Sequence, residues 1–179
     1  LRACLFLFKL MEEKRTELGE VGEFGLIERI KSGVVEYQPS TVFGIGDDAA
    51  VIDSGTHFTL VSTDMLVEGV HFDLSYVPLK HLGYKAIAVN MSDIAAMNGI
   101  PRQVTLSLSL SNRFSVEAVE EIYSGIHAAC ENYKVDLVGG DTTSSRSGLV
   151  ISVTAIGEVA KEAIVYRKGA KVNDVLCTT

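Results

Sequence analysis

An α+β domain, a mixed sheet with flanking helices, is what the order of hydrophobic patterns along the chain predicts. Three observations carry this. Apolar runs of strand character precede the first long helical pattern. A strictly alternating segment stands between two helical ones. No regular strand–helix repeat runs through the chain, as a doubly wound parallel sheet would require. The 179 residues, 47% hydrophobic and 22% charged, suit one domain, or one domain and the start of another, and exclude wholesale disorder.

The elements follow in order. Residues 23–31, EFGLIERIK, put Phe24, Ile27 and Ile30 at helical spacing and predict a short amphipathic helix. Residues 41–52 carry Gly-Ile-Gly-Asp-Asp between apolar pieces, a turn. Residues 57–64, HFTLVSTD, predict a strand that ends in a hydroxyl–hydroxyl–carboxylate run. Residues 79–97 predict a helix with Leu82, Ala86, Val89, Asp93 and Ala96 on one face. Residues 103–110, QVTLSLSL, alternate: Val104, Leu106, Leu108 and Leu110 one way, Thr105, Ser107 and Ser109 the other. That is a half-buried strand with a polar face. Helix 115–132 follows, with Ser115 as N-cap and Val119, Ile122, Ile126 and Ala129 as its buried stripe. Residues 135–138 predict a strand closed by Gly139-Gly140-Asp141, and residues 149–156 another.

The two ends carry expectations of their own. A turn at Gly169–Asp174 leads into a predicted strand, Val175–Thr179, which suggests a fragment of a longer protein with a second domain. The first ten residues, LRACLFLFKL, are apolar and lack an initiator Met, and Met11 opens a polar, start-like stretch. The expectation is sequence upstream of the native start. A signal peptide, though no small-residue cleavage site follows, and a packing arm are the alternatives.

The net charge of −7 argues against a nucleic-acid protein that relies on bulk positive charge, and no stretch reaches membrane length. Cys4, Cys130 and Cys177 are odd in number and make no metal-ligand spacing. They read as reduced thiols of a cytoplasmic protein.

The acidic residues are informative by position. Gly44-Ile45-Gly46-Asp47-Asp48, Ser62-Thr63-Asp64, Asn90-Met91-Ser92-Asp93 and Gly139-Gly140-Asp141-Thr142-Thr143 each put a carboxylate beside small or hydroxyl neighbours. Such oxygens are hard ligands suited to Mg²⁺, which binds through a few carboxylates, waters and substrate phosphates. Adjacent glycines let a phosphate approach backbone N–H groups. Each segment alone is also an ordinary turn or cap. Asp93 is the sharpest, because it lies between apolar runs and a carboxylate on a buried helix face is costly unless paired or metal-bound. Walker A, protein-kinase and Gly-x-Ser-x-Gly patterns are absent. His57, His81 and His127 fit strand or helix patterns as packing or surface residues. His71, just downstream of Ser62-Thr63-Asp64, either faces the same site or does not.

Taken together, Gly-Ile-Gly-Asp-Asp-Ala-Ala-Val (44–51), Ser-Thr-Asp-Met-Leu-Val-Glu-Gly-Val-His-Phe (62–72), Lys-Ala-Ile-Ala-Val-Asn-Met-Ser-Asp-Ile-Ala-Ala-Met (85–97) and Gly-Gly-Asp-Thr-Thr (139–143) resemble the thiamine-monophosphate kinase family, over roughly residues 20–179. The resemblance implies ATP-dependent phosphorylation of thiamine monophosphate to thiamine diphosphate, with several Mg²⁺ ions. It implies metal-binding roles for Asp48, Ser62, Thr63, Asp64, Asp93 and Asp141, with Asp47 as a neighbouring acidic position. It also implies a substrate contact for His71 and ATP contacts for Tyr123, Gly140, Asp141 and Arg167. Tyr123 has a packing alternative beside its helix stripe. Many members carry Arg directly after Gly-Gly-Asp-Thr-Thr, where this chain has Ser144, with Arg146 two residues on. The expected organisation is an N-terminal arm over 1–19, partly non-native or disordered, an ATP- and Mg²⁺-binding N-terminal domain of the aminoimidazole ribonucleotide synthetase-like fold over 20–158, and the start of a truncated C-terminal domain over 159–179. Strands of the N-terminal domain would close a barrel across a homodimer, and strand 103–110 is a candidate for it. No general base is implied, since a phosphate monoester is already anionic near neutral pH. Two other readings stay open: another ATP-using enzyme of the same superfamily, and a non-catalytic nucleotide-binding fragment.

Overall fold

The computed structural model describes residues 16–177. The expectations for residues 1–10, together with Cys4, Thr178 and Thr179, lie outside the described residues, and the arm expected over 1–19 is described only from residue 16. The chain divides into two compact units between Val35 and Glu36.

The first unit carries helix α1 (Leu18–Lys31). Gly22 sits inside it at φ 67, ψ 176, so two helical pieces meet at a kink. The piece after the kink is the predicted 23–31 run, and the glycine explains why hydrophobic periodicity finds only that part.

The second unit holds β1 (Thr41–Phe43), β2 (Ala50–Asp53), β3 (Phe58–Val67), α2 (Leu79–Ala96), β4 (Ile100–Leu110), α3 (Val116–Tyr133), β5 (Asp136–Ser144) and β6 (Val150–Val159). The strands form one six-stranded mixed sheet in the order β1-β2-β3-β6-β4-β5. Every neighbour pair is antiparallel except β4–β5. Because β3 and β4 both run against β6, they run with each other. Thus β3–α2–β4 is a crossover split by β6, and β4–α3–β5 is a direct one. The α+β expectation is met.

One face of the sheet is covered by α2 and α3. Leu60, Leu66, Val104, Leu106, Leu108, Ile151, Val153 and Ala155 are buried, as are Leu82, Ile87, Ile94, Ile122, Ile126 and Ala129 from the helices. The alternation predicted for 103–110 is the alternation observed in β4, and Ser115 caps α3 by accepting from Ala118 N at 3.2 Å. The helices touch through glycines. A Cβ on Gly83 would stand 2.0 Å from the Ile122 carbonyl oxygen, and one on Gly125 1.8 Å from that of Lys80. Among the described residues no helix is long and apolar enough to cross a membrane.

Four expectations are corrected. The buried face of α2 comprises Leu82, Gly83, Ala86, Ile87, Asn90, Met91 and Ile94, so Val89 and Asp93 lie at its border and Ala96 is exposed. The helix rotates to bring Gly83 against α3, a contact that a hydrophobic count cannot weigh. Ser62-Thr63-Asp64 does not end a strand but lies in the middle of β3, since β6 pairs with β3 over its whole length. Gly139-Gly140-Asp141 likewise lies within β5. These glycines do not stop the strand, because Gly140 packs on β4 where a Cβ would stand 1.7 Å from the Leu106 carbonyl oxygen. No strand forms over Val175–Cys177, where Val175 and Leu176 are exposed and no neighbouring strand offers a ladder.

Candidate functional site

The acidic residues meet where β2 enters the sheet. The β2–β3 ladder stops at Ala50↔Val61. Beyond Val61 the outer edge of β3 is free, and the loop carrying Asp47 and Asp48 runs directly into β2 beside it. Alternation along β3 turns Ser62 and Asp64 toward the helices and Thr63 to the opposite face. There Thr63 Oγ1 donates to Val153 O and accepts from Thr154 Oγ1, both at 3.1 Å.

Helix α2 supplies what the free edge lacks. Asn90 is buried (1% exposed). Its Oδ1 accepts from Asp64 N at 3.2 Å, and its Nδ2 donates to Ala86 O at 3.0 Å. One turn on, Asp93 accepts from Ser62 Oγ at 2.6 Å, the length of a charge-assisted bond. The Asp93 carboxyl is pushed above its ordinary range, first by burial and then by the negative charges of Asp64 and Asp48. The Ser62 hydrogen bond and Arg167 oppose the shift without cancelling it. Asp93 also lies in the last turn of α2, where the helix dipole adds negative potential.

Met97, at the end of α2, fastens two further segments to this place. Its sulfur accepts from Ala49 N at 3.1 Å, which sets the Asp47–Asp48 loop, and its carbonyl accepts from Val165 N at 3.2 Å. Two residues on, Arg167 pairs through its guanidinium with Asp48. Its backbone N–H donates to both Asp47 oxygens, at 3.1 and 3.2 Å. Asp48 and, more weakly, Asp47 and Asp93 raise the Arg167 guanidinium above its ordinary value. Asp47, Asp48, Asp64, Asp93, Ser62 and Arg167 therefore form one electrostatic neighbourhood. Among the described residues no three carboxylates or imidazoles close around a single metal position. The arrangement instead leaves carboxylate and hydroxyl oxygens beside one another, with Asp48 held by Arg167.

The other candidate residues lie elsewhere. Asp141 is exposed on β5, three strands from β3, about 14 Å at the usual strand spacing. It lines a cavity of ≈ 540 Å³ with Tyr123, Leu106, Leu137, Gly139 and Gly140. Tyr123, Gly140 and Asp141 are thus gathered at one place and Arg167 at another. His71 sits in the turn after β3, where Nδ1 accepts from Val67 N at 2.9 Å and its carbonyl accepts from Lys85 Nζ at 3.0 Å. Arg146 is exposed in the turn between β5 and β6. Cys130 is partly buried and Cys177 exposed, and both are free thiols.

The residues that sequence reasoning left without a role are Asn90 and Met97. Asn90 carried a signal: a polar side chain three residues before Asp93 and four after Ala86, in a helix otherwise apolar on that side. Met97 carried none, since a methionine in an apolar run reads as core.

The chain is similar to known proteins. Residues 46–159 match the family described as AIR synthase related protein, N-terminal domain. The thiamine-monophosphate kinase of Bacillus subtilis (strain 168) is 40% identical over 158 residues, covering 88% of this chain and 48% of that protein. The thiamine-monophosphate kinase of Aquifex aeolicus (strain VF5) is 43% identical over 157 residues, covering 88% and 48%. The solved structure of AaThiL complexed with AMPPCP and TMP superposes with a TM-score of 0.78 at 39% identity, covering 89% of this chain and 48% of that one. The chain spans about half the length of these relatives. The match over most of the ordered sheet, with both crossover helices included, shows that the chain belongs to the AIR synthase related protein family and carries its N-terminal domain.

Proposed function

We propose that the protein is a thiamine-monophosphate kinase, transferring the γ-phosphoryl group of ATP to the phosphate of thiamine monophosphate. The observation that carries this reading is the convergence of Asp48, Asp64, Asp93 and Ser62 at the free edge of β3, on a scaffold 39% identical to AaThiL complexed with AMPPCP and TMP. The difficulty of such a reaction is electrostatic, because two polyanions must meet. It is met by positioning and charge stabilisation rather than by a strong base.

The donor set fits Mg²⁺. It consists of hard carboxylate and hydroxyl oxygens, with the Asp93 carboxyl raised first by burial and then by the charges of Asp64 and Asp48, and such a set suits an ion that shares its coordination with phosphates and water. Asp48, Asp64, Asp93 and Ser62 are the residues that would hold it. Asp47 would act through the loop, and Thr63 and Asp141 belong to the same proposal from the opposite face and from the β5 cavity. When bound, Mg²⁺ would neutralise phosphate charge and align the reacting groups. Asn90 and Met97 keep Asp64 and the Asp48 loop in register with Asp93. Arg167 balances the carboxylates and is the ATP contact proposed on this side. Tyr123, Gly140 and Asp141 line a cavity of the right size for a nucleotide. His71 is proposed as the thiamine-side contact.

A cytoplasmic homodimer is part of the same proposal. The sheet face opposite the helices carries Thr63, Thr105, Ser107, Ser152 and Thr154. That hydroxyl-lined surface is the one through which a barrel across two copies would close. The domain division proposed is 20–158, with 159–179 leading into the remainder of a protein of the relatives' length. The test is ADP release by the protein expressed from its complete reading frame, with and without Mg²⁺. Release that depends on thiamine monophosphate, and not on formylglycinamidine ribonucleotide or selenide, supports this reading. Release with either of the latter favours another superfamily enzyme, and Mg²⁺-dependent nucleotide binding without turnover favours a binding module.

A further inference from the structure

The turn that carries His71 is held by its own backbone, by Lys85 Nζ donating to the His71 carbonyl, and by one carboxylate. Within the turn, Gly69 N donates to Phe72 O at 2.8 Å and His71 N to Val67 O at 2.9 Å. The His71 ring folds back so that Nδ1 accepts from Val67 N at 2.9 Å. A backbone N–H can only donate, so Nδ1 carries no proton, and in the neutral ring the proton is on Nε2. Nε2 has no partner among the described residues, and the side chain is exposed.

Glu68 fixes where this turn sits. Its backbone N donates to Leu149 O at 3.0 Å, and its Oε2 accepts from Leu149 N at 2.8 Å. The same oxygen pairs with the Arg113 guanidinium. Leu149 is fully buried, so the carboxylate is tied to the rigid start of β6. Gly148, just before Leu149, turns the chain at φ +77, a backbone conformation that L side chains rarely adopt. The chemistry of phosphoryl transfer has no use for Glu68, yet its carboxylate reaches outside the turn to Leu149 N and to Arg113. We propose that Glu68 is a positioning residue for His71. Its carboxylate, clamped between Leu149 N–H and Arg113, pins the 67–72 turn so that His71 offers a neutral Nε2–H donor to a hydrogen-bond acceptor on the bound substrate.

This inference rests on the proposed function, through the substrate-side assignment of His71, so the experiment has two arms. In the first, the protein from the complete reading frame is assayed with thiamine monophosphate and ATP varied separately. Glu68→Ala raises KM for thiamine monophosphate about tenfold, the scale of one misplaced hydrogen bond. It leaves kcat and KM for ATP within about twofold of the parent, as loss of substrate binding alone requires. Glu68→Gln, which keeps an acceptor for Leu149 N–H, falls between and serves if the alanine variant does not fold. A proportional fall in kcat, or equal changes in both KM values, overturns the proposal. In the second arm, long-range ¹H–¹⁵N correlation spectra at neutral pH, with His71→Gln for assignment, give the Nε2–H tautomer for His71 in the parent and a tautomer mixture in Glu68→Gln. A proton on Nδ1 in the parent, or no change in the variant, overturns it. The second arm needs no substrate, so a parent that does not turn over thiamine monophosphate refutes the functional reading while leaving this one to be decided.

Discussion

Replacing Asp93 with Asn should separate function from stability. The amide keeps the size of the side chain and an acceptor for Ser62 Oγ, now at 2.6 Å, while the charge is removed. The loss is the difference between a charge-assisted and a neutral hydrogen bond, about 1 kcal/mol. The gain is relief from burial of a charge and from repulsion by Asp64 and Asp48. Those effects dominate in the metal-free protein, because the carboxyl is raised rather than lowered. Metal-free Asp93→Asn should therefore melt no more than about 3 °C below the parent, the shift expected for roughly 1 kcal/mol in a chain of this size. Activity should fall at least ~100-fold, about 3 kcal/mol of transition-state stabilisation. The pH dependence has a definite sign. A carboxyl raised in the folded state favours folding fully below its unfolded value of 3.8, and that contribution is lost as pH rises through the folded-state value. The metal-free parent should lose stability across that window more steeply than Asp93→Asn. Thermal unfolding with a chelator across pH 3–7, beside ADP release at saturating Mg²⁺, checks both. Near-normal turnover, or a large drop in metal-free melting temperature, would refute the reasoning.

Three further outcomes are expected. Asn90→Leu leaves Asp64 N–H without its partner at the free edge of β3 and should cost about 1–3 kcal/mol in denaturant unfolding; an unchanged midpoint contradicts the edge-capping role. Gly125→Ala drives a methyl against the Lys80 carbonyl and should destabilise by about 1–3 kcal/mol or more, whereas Gly139→Ala, with open space around its Cβ position, should have a much smaller effect. Arg167→Gln removes the cation paired with Asp48, so calorimetry without nucleotide should find Mg²⁺ bound several-fold more tightly, since the carboxylate no longer has to exchange partners; weaker Mg²⁺ binding would mean that Arg167 orders the site instead.

Much of the fold is legible in the chain. Period-2 alternation in 103–110 and the stripe and cap of 115–132 are local properties, and the structure keeps them. The failures share one cause, which is contact between segments far apart in sequence. Gly139 and Gly140 read as a strand end because glycine usually interrupts strands, yet the close approach of β4 requires Gly140 inside one. Gly83 shifts the buried face of α2 for the same reason, and Asp93 moves from an apolar stripe to its accessible border. At the site, carboxylates and glycines mark the chemistry from composition alone, whereas Met97 is invisible because a sulfur acceptor is defined only by the N–H that meets it.

The sequence by itself determined the element types, the polar and apolar faces, and the set of oxygen-bearing residues with a taste for hard cations, because these depend on residue chemistry and short-range periodicity. Only the tertiary structure decided which of those residues share a field. The late start of β2 frees the edge of β3, Met97 ties two distant loops to the end of α2, and Arg167 reaches back across the chain to Asp48. It also set Asp141 with Tyr123 in a separate cavity on β5. Electrostatic coupling falls off with distance, and distance between remote segments is a property of strand order and helix contact that no local pattern encodes.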